Sequence, residues 1–530
     1  MKCRTMLAIA VAMLIGAPTA RADSIVKTEN GAVRGITRTN YDAWLGIPYA
    51  QPPVGKLRWQ APQPTRWSGV RDATHFGGRC TQNSGWDPGY EQPIYNEDCL
   101  YLNVYVPHDG RSGKRPVLVW IHGGGFTGGA GQDTDPRKYV DATGAVFVTI
   151  NYRLGALGFL NLPQLRAEGD GAGAYGLLDQ QAALRWVREN IDRFGGDERN
   201  VTIAGQSAGG SSVCNQLASP TARRLFDRAI IVSGSCAMVA QPAADAAGQA
   251  YLKTIGCETD TLNCLRSKTP QQLLTAQLNS AGIRPSVGSS AFPTDPATAV
   301  PAGQFNRVPV ISGQVHDERT LFAFQDYDYK GTPVTAAQYA TLIRNAWGAN
   351  ADKVLAAYPV SAYPSPSAAL AAVNTDSQAY TRHEVQKQLA RYTPTYVYQF
   401  DERATPQFYS IFRLQWAGEP ARSFPFGATH VDDLGYYFEY LGHTMNFSDD
   451  ELELSDQMIA FWQAFQDRST PNGAYLPAWP AFNRSQQWMS LKACETAEAG
   501  NEPPAACSQA KDVAAFVADH KLDFWQSIIG

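Results

Sequence analysis

The chain has 530 residues, 44% of them hydrophobic and 18% charged, a formal net charge of −4 and a mean hydropathy of −0.29. That composition excludes a disordered chain, a fibrous repeat and a polytopic membrane protein. The slightly acidic balance and the lack of a basic run remove the electrostatic footprint of a nucleic-acid binder, so no nucleic-acid partner is expected.

Residues 1–22 read as a secretory signal. Lys2 and Arg4 open it, Met6 to Ala17 is an apolar run too short to span a bilayer, and Ala20-Arg21-Ala22 is a small-x-small cleavage site. Its removal takes Lys2, Arg4 and Arg21 and no acid, moving the net charge from −4 to −7. A secreted or periplasmic protein without an integral membrane anchor is expected, with residues 23–530 forming one large domain. Cys3 leaves with the signal, and eight cysteines remain for an oxidising compartment. Short separations nominate Cys80–Cys99, Cys257–Cys264 and Cys494–Cys507; Cys214 and Cys236 are left as a fourth pair or as buried free thiols.

Ser24 to Thr28 and Ala32 to Ile36 flank Asn30-Gly31 and predict a β-hairpin. Apolar runs at Val117–Ile121, Val146–Ile150, Val201–Ala204, Ala229–Val232 and Val308–Ile311 predict buried strands of a mostly parallel sheet. Between them Leu178, Ala182, Trp186, Val187 and Ile191 recur at helical spacing in a helix over Leu177–Phe194. Amphipathic helices are expected at Leu454–Phe465 and Val513–Ile529. Alternating strand and helix means an α/β architecture. The Ala-, Thr-, Ser- and Pro-rich stretch Ala240–Pro301 reads as an excursion from the sheet, part of a cap.

Gly205-Gln206-Ser207-Ala208-Gly209 follows the strand Val201–Ala204 and precedes a segment able to form a helix, the context of a nucleophile elbow. A serine on so tight a turn stands clear of the backbone, and the following helix N-terminus sets positive partial charge beside a developing oxyanion. Ile121-His122-Gly123-Gly124-Gly125-Phe126 ends another strand; consecutive glycines allow a loop whose amides face a reacting carbonyl. Gly123-Gly124-Gly125-Phe126-Thr127-Gly128 also satisfies GxGxxG, with Asp141 downstream as a ribose contact. That fingerprint must open a helix, whereas Gly129 to Pro136 breaks one, so a nucleotide-binding oxidoreductase is the weaker reading. No CxxC pair or HExxH suggests a metal, and no cofactor is expected.

Glu97-Asp98-Cys99-Leu100-Tyr101-Leu102-Asn103-Val104, His122–Phe126, Asn151-Tyr152-Arg153, Phe194-Gly195-Gly196-Asp197 and Gly205–Gly209 occur in this order. Together they resemble the type-B carboxylesterase/lipase family, the cholinesterase-like branch of the α/β-hydrolases, from about Gly31 to the C-terminus and most densely between Gly46 and Gly234. The resemblance implies the α/β-hydrolase fold and a secreted or membrane-associated serine hydrolase that cleaves carboxylic esters through a Ser-acid-His triad. By similarity to the family's Asp-Glu-Gly motif Glu318 is the acid, with Asp317 the fallback and Arg319 standing where the motif has glycine. His430 in Gly427-Ala428-Thr429-His430 resembles the family's histidine loop. Ser207 is then the nucleophile, and Gly124, Gly125 and Ala208 the three oxyanion donors. Ser233 matches a serine behind the triad, Glu97 and Arg153 match a buried ion pair, and Gln206 replaces the glutamate that many members carry. The expected partner is a small-molecule ester, short- to medium-chain or aromatic. The competing function is a non-catalytic cholinesterase-like binding domain, which typically lacks the serine or the histidine. Trp86, Tyr90 and Tyr95 are the aromatics of the Cys80–Cys99 loop that a choline site would require.

Overall fold

A computed structural model describes residues 24–83, 92–280, 282–406, 424–494 and 507–530. The signal reading at 1–22, and Trp86 and Tyr90, lie outside the described residues. Among the described residues eleven strands form the main sheet: β1 (Ile36–Thr37), β2 (Tyr41–Pro48), β3 (Tyr101–Pro107), β4 (Arg115–Ile121), β5 (Val146–Ile150), β6 (Gly196–Gln206), β7 (Arg228–Val232), β8 (Val310–Val315), β9 (Thr395–Phe400), β10 (Gln487–Leu491) and β11 (Gln509–Asp512). Their spatial order is β11-β10-β9-β8-β7-β6-β4-β5-β3-β2-β1. Strands β4 to β10 run parallel to one another, while β3 and β11 join this block antiparallel at its two ends and β1–β3 pair antiparallel among themselves. This is the doubly covered α/β sheet that the apolar runs imply, and Val119, Val148, Ile203 and Ile230 are fully buried within it.

The hairpin forms between Ile25–Lys27 and Ala32–Arg34, with Val26 opposite Val33, and gains Val70–Asp72 as a third strand. Helix α1 (Tyr175–Asn190) covers one face, and the expected end of this helix, Ile191–Phe194, is a single 3₁₀ turn. Helix α2 (Ala208–Ala218) follows β6 directly. Helix α3 (Pro366–Ala390) packs against β8 and β9. Helix α4 (Asp449–Arg468) is longer than its apolar pattern, because Ser448 and Glu451 form a capping box ahead of it.

Two expectations shift. The strand expected at Val308–Ile311 begins at Val310 and continues through Ser312-Gly313-Gln314 to Val315, because each of these residues pairs with β9. The single helix expected over Val513–Ile529 is two, Val513–Asp519 and α5 (Leu522–Ile529). The break falls where buried His520 directs Nδ1 to Asp376 and Nε2 to Gln399, each at 2.8 Å, and Lys521 turns to a φ of 49°. Residues 240–301 are largely helical, and their Tyr251, Leu252, Leu265 and Leu273 pack with Trp59, Leu160 and Leu162. All four cysteine pairs are joined, Cys214–Cys236 included. No helix among the described residues is long and apolar enough to cross a membrane.

Candidate active site

Strand β6 ends at Gln206, and the next residue, Ser207, has φ 58° and ψ −121° before α2 begins at Ala208. An L-residue holds that conformation only where its surroundings impose it. Here the Ser207 amide donates to the Val232 carbonyl at 2.9 Å and the Ser207 carbonyl accepts from Ser211 at 2.9 Å. The turn also needs Gly209, since a Cβ there would lie 1.9 Å from the Ile121 carbonyl oxygen. The helix therefore crosses the end of β4 at backbone contact, and the serine is pushed out at the corner.

The glycine loop leaves the end of β4 on the same side. A Cβ on Gly123 would meet that of Ser207 at 3.2 Å, so the loop runs alongside the serine. Gly124 has φ 97° and its carbonyl accepts from Thr127 and Gly128 at 3.0 Å each, which turns the loop back on itself. Among the described residues no protein acceptor meets the amides of Gly124, Gly125 or Ala208. No helix opens in this loop; a 3₁₀ turn at Gly131–Asp133 follows, which removes the structural requirement of the dinucleotide reading. Arg284, from the 240–301 excursion, donates to the Gly125 carbonyl at 3.1 Å. His122 is buried, stacks on Tyr152 and donates through Nδ1 to the Gly123 carbonyl at 2.8 Å. Burial pushes its imidazole down to about 4, so the ring is neutral.

His430 follows Gly427-Ala428-Thr429 in a loop pinned to the end of β8. Ala428 donates to Asp317 Oδ2 and accepts from the Asp317 amide, while the Thr429 hydroxyl oxygen accepts from Leu321 N–H at 2.9 Å. The ring's Nδ1 lies 2.6 Å from Oε2 of Glu318, and its Nε2 lies 3.2 Å from the side-chain nitrogen of Gln206. One edge of the imidazole thus meets a carboxylate and the other faces the residue next to Ser207. Burial alone would raise the Glu318 carboxyl, but the Arg382 guanidinium and then His430 hold it down at about 2. Asp317, the fallback acid, is taken up by Arg403, at 2.9 and 3.0 Å, and by His316. Arg319 needs no glycine conformation: φ is −104°, its amide donates to Thr375, and its guanidinium lies over Phe322 at 4.1 Å. Phe322 in turn sits 5.0 Å from the His430 ring.

One expectation is corrected. Glu97 and Arg153 do not pair with each other: Glu97 takes a two-point contact from Arg58, and Arg153 forks onto Asp179 of α1 at 2.8 and 2.7 Å. Arg58 is held for Glu97 by its further bonds to the carbonyls of Leu265 and Lys268, and Asp179 also receives the Arg153 amide. Ser233, expected behind the triad, is buried with φ 50° and donates its amide to Gly313 at 2.8 Å. Sequence reasoning missed Arg382, whose guanidinium lies 3.2 Å from Glu318 Oε1, and Asp433. Burial, then Glu318, pushes the Asp433 carboxyl up to about 7, and its Oδ2 accepts from Tyr398 at 3.2 Å. Neither residue lies in a motif that would single it out.

A mostly parallel sheet with a serine on a strand-to-helix corner, a glycine loop beside it and an imidazole against the side chain of the preceding residue defines an α/β-hydrolase. The Carboxylesterase family profile matches residues 22–525, and the chain belongs to that family. It is 35% identical over 482 residues to the para-nitrobenzyl esterase of Bacillus subtilis (strain 168), covering 87% of this chain and 92% of that protein. Over 511 residues it is 32% identical to the fumonisin B1 esterase of Sphingopyxis macrogoltabida, covering 91% and 89%. Over 523 residues it is 31% identical to the acetylcholinesterase of Bungarus fasciatus, covering 88% and 82%. A solved thermophilic PNB esterase superposes with a TM-score of 0.78 at 29% identity, covering 94% of this chain and all of that one. The protein is a carboxylic-ester hydrolase.

Proposed function

We propose that the protein is an exported serine esterase working through Ser207, His430 and Glu318, with broad use of short- to medium-chain and aromatic esters. One observation carries the reading: Nδ1 of the buried His430 meets Glu318 at 2.6 Å while its Nε2 edge is turned to the residue adjoining Ser207. His430 takes the Ser207 proton as Oγ attacks the ester carbonyl; Glu318 holds the ring in the Nδ1–H tautomer and stabilises its charged form. The amides of Gly124, Gly125 and Ala208 receive the oxyanion. His430 then protonates the leaving alcohol, and water, deprotonated by the same ring, releases the acid from the acyl-enzyme. Phe322 beside the imidazole, packed against a cluster of Leu321, Phe324 and Phe426, supports a preference for apolar and aromatic groups. Four disulfides support export, with residues 1–22 as its signal.

The test is a rapid-mixing assay with p-nitrophenyl acetate and an organophosphate label. A stoichiometric burst of p-nitrophenol, with the label on the Ser207 peptide, is expected. Label on another residue, or no burst and no label, overturns the reading.

A further inference from the structure

Glu318 offers two oxygens, and the imidazole uses one. The other, Oε1, lies 3.2 Å from Nη1 of Arg382, in the second half of α3, with the Val315 amide at 3.4 Å. The pair is buried, the side chains 11% and 1% exposed. The remaining donors of the same guanidinium are engaged as well. Nε reaches the Gly234 carbonyl and Nη2 the Ser233 carbonyl, each at 3.3 Å, and the side-chain oxygens of Gln314 and Gln378 complete the set at 3.4 Å. Ser233 and Gly234 directly follow β7, and a Cβ on Gly234 would lie 2.4 Å from the Gly210 backbone of α2. One planar fork therefore binds the carboxylate, the end of β8 and the loop beneath the serine-bearing helix.

We propose that Arg382 is a positioning residue for the catalytic acid: by occupying Oε1 and tying it to the loop behind Ser207, it presents Oε2 alone to His430. The proposal rests on the triad reading above. A carboxylate with both oxygens unoccupied rotates about its terminal torsion and shares its charge over two geometries; one side fixed by a charged donor has a single orientation left. The other charged or titratable groups facing Glu318 are His430 on Oε2, the neighbouring Arg319, and Asp433 with Tyr398 across the sheet end. Arg382 alone among these combines the contact to Oε1 with contacts to the β7 loop.

The experiment is a double-mutant cycle on the full chain with p-nitrophenyl acetate. Arg382→Gln keeps an amide donor for the carbonyls and removes the charge; Arg382→Lys keeps the charge. Each is made alone and with Glu318→Gln, kcat and KM are measured separately, and folding is followed by thermal unfolding. Alone, Arg382→Gln is expected to lower kcat about 10–100-fold with KM within about threefold, and Arg382→Lys to recover most of that loss. In the Glu318→Gln background, itself about 10⁴-fold slower, Arg382→Gln is expected to cost less than about threefold. Equal losses in both backgrounds, or equal losses for Gln and Lys, make Arg382 a structural residue and overturn the proposal. Should Arg382→Gln not fold, Arg382→Met takes its place in the cycle: a kcat loss that shrinks to less than about threefold in the Glu318→Gln background upholds the proposal, and an equal loss in both backgrounds overturns it. A Glu318→Gln variant with unchanged kcat overturns the triad itself, a result distinct from additivity.

Discussion

The side-chain nitrogen of Gln206 stands 3.2 Å from Nε2 of His430, on the edge of the ring that faces the serine corner. Gln206 is buried and neutral, and its amide donates to a bare Nε2 or, turned over, accepts from a protonated one. Replacing it with glutamate puts a carboxylate at that contact, which favours the charged ring. In Gln206→Glu the acid side of the kcat/KM profile is expected to move up by about one pH unit, with turnover restored at alkaline pH. An unchanged profile would mean the contact does not govern the base.

Ser207→Ala removes the hydroxyl proposed as the nucleophile and leaves the strained corner otherwise in place. A loss in kcat of about a millionfold is expected, with a residual rate from binding and the oxyanion amides. Activity near wild type in a steady-state assay would refute the assignment.

These two predictions draw on different kinds of information. The Gly205–Gly209 turn and the His122–Phe126 loop are legible in sequence because each is one contiguous run, although the contact that requires Gly209, with the Ile121 carbonyl, comes from another strand. His430 and Glu318 meet across 112 residues, and only family likeness joins them beforehand. Ion-pair partners are less legible still. Family likeness pairs Arg153 with Glu97, yet Arg153 forks onto Asp179, and which acid approaches is settled by how α1 packs. The break at His520-Lys521 carries no Gly or Pro, and arises because the imidazole is drawn inward to Asp376.

The glycine loop makes its own prediction. Gly124 has φ 97°, and a Cβ there would lie 2.2 Å from the Gly128 carbonyl oxygen. Gly124→Ala must open this turn, moving the amides proposed to receive the oxyanion. A fall in kcat of about 10²–10³-fold, with KM little changed, is expected in steady-state kinetics. A loss confined to KM would count against the loop's role.

Stability in mild acid is a further test. His122 is held neutral at about 4 by burial, whereas an unfolded histidine titrates near 6.5. Below about pH 6.5 the unfolded chain binds a proton that the folded one refuses, so the contribution is intact above that pH and is lost progressively down to about pH 4. The decline from this group is about 3 kcal/mol at most. Urea unfolding of wild type and His122→Gln across this range should show the flatter slope in the variant. Parallel slopes would mean that His122 titrates normally.

The contact between Gly209 and the Ile121 carbonyl sets a boundary for enzyme engineering. Libraries that diversify Gly209 spend their members on chains unable to close the corner. Phe322, half-buried and beside the imidazole, lies outside that constraint, and new selectivity is better sought from its ring outward.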